Sequence, residues 1–268
     1  MRARLAAALF LSAAALFLSA AALALTIAGA AAEPAPRPYL VEGALDAAAI
    51  LPPPPKPGSA AQDADAAAYA ATRALAGTPR WQLAVADVPS GVARLLDGFS
   101  CAAGRRLDPA RRPALAALLA RTRRDVVAVV RDAKGRFARG RPHLGNDEPL
   151  CVPRSEALDR SFAYPSGHAT EGWTFGLVLA ALMPERAGPL LARARTYGES
   201  RIVCGVHWAS DVEAGRLTGS ALFAALVGDA AFRADLERAR AELADGFAVP
   251  PPEPASCARE DEMTVPRP

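Results

Sequence analysis

Apolar residues recur along most of this chain with the period of a helix, and prolines and glycines fall between the periodic stretches. The pattern predicts helices near 60–77, 91–103, 113–141, 166–184, 187–203, 207–227 and 229–244. No run alternates apolar and polar residues with period two, so no strand is predicted. The expected fold is all-α, a single compact helical domain over 60–245. Before it, 33–59 is Pro-rich, with Pro52-Pro53-Pro54-Pro55, and reads as an extended arm rather than a packed element. After it, 246–268 is Pro-rich and polar and reads as a tail.

The first 32 residues follow another pattern. Arg2 and Arg4 precede an uncharged apolar run over 5–32 that ends in Gly29-Ala30-Ala31-Ala32. A basic start, an apolar middle and a small-residue end describe a signal peptide, with cleavage expected after Ala32. The run is also long enough to span a bilayer uncut. In either case the remainder is expected outside the cytoplasm, periplasmic or secreted. The best later apolar run, Trp173 to Met183, is far too short to cross a membrane, so no stable span is expected in the mature chain.

Composition narrows the partners. The 268 residues are 51% hydrophobic, which excludes a wholly disordered chain. The 31 basic residues nearly balance the 28 acidic ones, which leaves no footprint for nucleic acid. Any cationic site must therefore be local. Four cysteines, Cys101, Cys151, Cys204 and Cys257, favour two disulfides in an exported chain. Three pairings are open; Cys151–Cys204 with Cys101–Cys257 is preferred, because the second would pin the tail. No cysteine spacing suits zinc, and no metal ligand is assigned.

The stretch 113–141 contains a conflict. Its apolar stripe includes Leu115, Leu119, Val126, Val130 and Phe137. Read as one helix, it places Lys134 and Arg141 two turns apart on the edge of that stripe, facing inward. Arg121, Arg124, Arg131 and Arg139 point elsewhere, as solvated charges do. Inward cations are costly unless an anion meets them.

Two other segments could supply the rest of an anion site. In Pro165-Ser166-Gly167-His168, Ser166 is a good N-cap and Gly167 permits close backbone approach. A helix start of this kind attracts anions through its free N–H groups and dipole, and His168 would stand beside the anion. In Ser200-Arg201, five residues, His207, three residues, Asp211, the i, i+4 spacing sets Asp211 against His207. A carboxylate on one ring nitrogen leaves the other free as a nucleophile.

Together, Lys134-x6-Arg141-Pro142, Pro165-Ser166-Gly167-His168 and Ser200-Arg201-x5-His207-x3-Asp211 resemble the three-part signature of the type 2 phosphatidic acid phosphatase superfamily. The resemblance narrows to the bacterial class A nonspecific acid phosphatases through Leu51-Pro52-Pro53-Pro54-Pro55-Lys56-Pro57-Gly58-Ser59 and Gly198-Glu199-Ser200-Arg201-Ile202-Val203-Cys204-Gly205-Val206-His207-Trp208. It covers roughly 40–245. Two places depart from the class pattern: Phe162-Ala163-Tyr164 stands where Gly-Ser-Tyr is usual, and Ala169 where Thr is usual. These departures put pocket shape and substrate range in question, not the signature residues.

The resemblance implies hydrolysis of small phosphate monoesters of broad range, without a cofactor, through a phosphohistidine. His207 would attack phosphorus, Asp211 would orient it, and His168 would protonate the leaving alkoxide. Lys134, Arg141 and Arg201, with backbone N–H groups around Ser166 and Gly167, would hold the phosphate oxygens. An alcohol could replace water as acceptor. A homodimer is also implied. His143 has no matching role and reads as a surface or loop histidine. With His207 neutral and His168 protonated in mild acid, a bell-shaped profile with an optimum at roughly pH 5–7 is expected. The alternatives are a vanadium-dependent haloperoxidase, which shares the same anion-binding residues, and a lipid phosphate phosphatase.

Overall fold

The computed structural model describes residues 37–244 and 253–264, and the signal peptide expected over 1–32 lies outside them. Among the described residues every regular element is helical. In chain order these are α1 (Ala47–Ile50), α2 (Ala60–Arg73), α3 (Pro79–Ala86), α4 (Val92–Ala103), α5 (Pro113–Phe137), α6 (Glu156–Arg160), α7 (Gly167–Leu182), α8 (Ala187–Val203), α9 (Ala209–Gly228), α10 (Ala230–Ala244) and α11 (Pro254–Thr264). A single 3₁₀ turn, Pro184–Arg186, joins α7 to α8.

The local chemistry explains where these helices begin and end. Ser59, Thr78 and Ser166 each cap a helix start with a side-chain oxygen. Pro79 and Pro113 occupy first helical turns, where the missing N–H costs nothing. Gly205, at φ 75°, turns the chain out of α8.

The core lies around α7, whose Phe175, Val178 and Leu179 are fully buried, and which packs against α8, α9 and α5. Two glycines set how closely these helices approach. A Cβ at Gly176 would come within 2.5 Å of the Ala194 Cβ on α8. One at Gly215 would come within 2.7 Å of the Ser166 carbonyl oxygen. The start of α7 is therefore pressed directly against α9, which carries Asp211.

Several expectations need correction. Helix α5 stops at Phe137, because Ala138 adopts the left-handed conformation at φ 47°, so Arg141 lies in the following turn rather than on the helix. The arm expected to be extended rather than packed is packed in part: Tyr39, Ala47 and Leu51 are buried in the core. Asp125 fixes its start by accepting hydrogen bonds from the N–H groups of Tyr39 and Leu40. The tail contains a helix, α11, tied to α4 by the disulfide Cys101–Cys257. The second disulfide is Cys151–Cys204, and no described cysteine is free. No single helix among the described residues is long and apolar enough to cross a membrane.

Candidate active site

The turn after α5 supplies two arginines that face opposite sides of one histidine–aspartate pair. On one side, Arg139 Nη1 donates to Asp211 Oδ1 at 2.6 Å, and its Nη2 donates to Asp65 Oδ2 on α2 at 2.7 Å. Arg139 is buried and doubly ion-paired, so its assignment as a solvated charge was incorrect. On the other side, Arg141 Nη1 donates to the Val206 carbonyl at 2.6 Å and lies 3.2 Å from His207 Nε2. Its Nε donates to the Ser161 carbonyl at 2.7 Å.

These contacts fix the His207 tautomer. A ring nitrogen facing a guanidinium N–H can only accept, so Nε2 carries the lone pair. Nδ1 then carries the proton and faces Asp211 Oδ2 at 3.3 Å. Asp211, at the third position of α9, also accepts the Trp208 N–H at 2.8 Å. Burial pushes its carboxyl up to about 6, while Arg139 pulls the other way.

The start of α7 is tied to the same pair. The Ser166 N–H donates to the Asp211 carbonyl at 2.9 Å, and Ser166 Oγ caps the Ala169 N–H. The N–H groups of Gly167 and His168 have no intrahelical acceptor, as at any helix start. His168 Nε2 is 3.0 Å from the Val88 carbonyl, which can only accept; Nε2 therefore carries a proton and Nδ1 is left for a ligand. The ring stacks on Tyr197 at 6.0 Å.

The remaining cations complete the cup. Lys134, in the last turn of α5, donates from Nζ to the Phe162 carbonyl. Arg201 is buried, and its Nε and Nη1 find no acceptor within the protein. Lys134, Arg141 and Arg201 form no ion pair with any carboxylate among the described residues, unlike Arg139. Burial presses on all of them, and repulsion from neighbouring cations adds to it at Lys134 and Arg141. Lys134 falls to about 7, through burial and Arg141. Arg141 falls to about 10, through burial and Arg201, and burial lowers Arg201 to about 10. Burial, with the same cations, pushes His207 well below the usual histidine range. His168 falls to about 3, through burial and Arg201. The protein by itself thus holds His168 neutral in mild acid, contrary to the expectation that it is protonated there. A dianion bound among these groups would offset the field of the cations and raise both histidines.

The structure therefore gathers Lys134, Arg141, Ser166, Gly167, His168, Arg201, His207 and Asp211 around one point. Sequence reading missed Arg139, Asp65 and the Val88 carbonyl. Arg139 had a legible signal: the residue before a proline is disfavoured in the α region, so Arg141-Pro142 already argued that the helix ends earlier. Asp65 and Val88 meet the site only through the tertiary fold. His143 is buried rather than at the surface, with Nε2 2.8 Å from Asp159 Oδ1. Among the described residues no group of three or more His, Cys, Asp or Glu is placed to hold a metal ion.

Comparison with known proteins follows the same lines. The PAP2 superfamily model matches residues 114–233, the stretch that holds all eight of these residues. An acid phosphatase of Zymomonas mobilis is 45% identical over 194 residues, covering 72% of this chain and 74% of that protein. A non-specific acid phosphatase of Salmonella typhimurium is 36% identical over 207 residues, covering 76% and 82%. One of Providencia stuartii is 34% identical over 203 residues, covering 75% and 82%. A solved transmembrane PAP2 type phosphatidylglycerolphosphate phosphatase from Bacillus subtilis aligns with a TM-score of 0.46 at 20% identity, over 68% of this chain and 89% of that one.

Proposed function

We propose a phosphohistidine route for this chain, which belongs to the PAP2 superfamily and is an acid phosphatase within it, a phosphoric monoester hydrolase. The observation that carries the route is the clamp on His207: Arg141 and Asp211 leave Nε2 with its lone pair beside three cations that lack carboxylate partners.

In this reading His207 Nε2 attacks phosphorus in line, forming an N–P bond as the ester P–O bond breaks. The developing imidazolium keeps its Nδ1 proton against Asp211. Lys134, Arg141, Arg201 and the first-turn N–H groups after Ser166 hold the non-bridging oxygens, where charge builds up. The bound phosphoryl group raises His168, whose Nδ1 gives its proton to the departing alkoxide. Water, or an alcohol competing with it, then attacks the phosphoenzyme, with His168 taking the proton back. Small phosphate monoesters are the substrates. Export to the periplasm or beyond belongs to the same proposal, supported by the leader pattern of 2–32 and by two disulfides of the kind that persist in oxidising compartments.

The acid role tests the assignment. His168→Ala should lose about 10²–10⁴-fold in kcat on alkyl phosphates, whose alkoxide needs the proton. On nitrophenyl phosphate, whose phenolate leaves unaided, the loss should be far smaller. Equal losses on both substrates would remove the acid role from His168.

A further inference from the structure

Beyond the phosphate cup the protein has a cleft of about 520 Å³, which Lys134, Gly167 and His168 line at the cup end. Because His168 stands at that end, the cleft is where an ester's leaving group must extend; this assignment rests on the function proposed above. Its volume suits a small organic group.

The walls of the cleft favour one kind of group. Val127 of α5 and Phe162 both line it, and both are large apolar side chains left 48% and 41% exposed. Val126 and Val130 lie beneath them in the core. Each arginine along the cleft already has a carboxylate partner. Arg123 pairs with Glu171 at 2.7 Å, Arg131 with Asp132 at 3.2 Å, and Arg160 with Glu156 at 2.5 Å. Among the described residues that line the cleft, no arginine is left without a carboxylate partner to meet a second anionic group on the substrate. Phe162 also joins the two regions, since its carbonyl accepts from Lys134 Nζ and the residue lines the cleft.

We propose that Val127 and Phe162 form a leaving-group subsite that selects phosphate monoesters of neutral aryl and arylalkyl alcohols over those of polyols and of alcohols bearing a second negative charge. An aromatic ring seated there takes exposed apolar surface out of water on both partners. A polyol would have to give up hydration against two apolar side chains that offer it no hydrogen bond. In the same cleft Ser161 already donates to the Leu158 carbonyl, and Glu171 is paired with Arg123.

Phosphonates test this without turnover, because their C–P bond is not hydrolysed. Calorimetry on the purified full chain should show 2-phenylethylphosphonate binding at least tenfold more tightly than methylphosphonate. Val127→Ser and Phe162→Ala should each remove at least a factor of three of that advantage, and the double variant nearly all of it. Methylphosphonate affinity should stay within twofold in Val127→Ser, because a methyl group is too short to reach a side chain two helical turns from Lys134. Equal affinities in the wild type, or an advantage that survives the double substitution, would overturn the subsite. If neither phosphonate nor inorganic phosphate binds, the cup itself fails and the subsite fails with it. Failure of the phosphohistidine route alone would leave these affinities untouched.

Discussion

Arg139 Nη1 and Asp211 Oδ1 meet at 2.6 Å across 72 residues of sequence, and this ion pair is the foundation on which His207 is held. Arg139 also spans to Asp65, so one guanidinium neutralises two buried carboxylates. Arg139→Met would leave both uncompensated, and a loss of about 3–5 kcal/mol of stability is expected in denaturant unfolding. Arg139→Lys keeps the charge but loses the fork that reaches both partners. In that variant Asp211 should become harder to ionise, moving the acidic limb of the kcat/KM profile to higher pH. An unmoved limb would show that Arg139 only supports the fold.

The pH profile follows from two groups other than those the sequence suggested. In the unliganded protein both histidines are pushed below the working range, and His168 gains its proton only together with the bound phosphate, which leaves Asp211 and Lys134 to set the limbs. Asp211 must be ionised to hold His207, and its carboxyl is raised to about 6, so activity falls as pH drops through that value. Lys134 must be charged to bind phosphate, and its ammonium is lowered to about 7, so activity falls as pH rises through that value. The expected kcat/KM profile is a bell centred between these two values. Lys134→Arg replaces a titrating cation with one that stays charged, and should displace the basic limb upward or remove it. A basic limb that stays in place would assign it to another group.

Arg201 contrasts with Arg139 in stability. Its buried Nε and Nη1 have no acceptor within the protein, so its charge costs the fold desolvation with little return. Arg201→Met should leave Tm unchanged or raise it, while kcat/KM falls about 10²–10³-fold, the range for removing one donor to developing charge. Thermal unfolding and steady-state kinetics on the same preparation check both halves. A lowered Tm with retained turnover would make Arg201 a structural residue.

Much of this site was legible in the sequence because its parts are local. The N-cap signal at Ser166 and the i, i+4 spacing of His207 and Asp211 are short-range patterns, and both hold. The spacing of Lys134 and Arg141 pointed correctly to two converging cations, but for the wrong reason: they converge across a helix end, not along a helix face. Extending α5 by four residues also turned Arg139 outward and hid the most heavily paired arginine of the site. Helix α3 was passed over, although Thr78-Pro79 is a helix-start signature, because its eight residues are too few to establish a period. Proline-rich composition disguised the packed segment before α2 and the helix α11, whose placement depends on a disulfide rather than on pattern. The histidine protonation states were beyond reach because they depend on burial and on cations brought together by the fold.

The central claim is that His207 Nε2 becomes covalently phosphorylated. Brief incubation with a phosphomonoester labelled in its phosphate, followed by alkaline quench and peptide mapping, tests it directly. The account predicts acid-labile, base-stable label on His207 in the wild type and none in His207→Ala. Label on a serine or aspartate, or full turnover by His207→Ala, would contradict it.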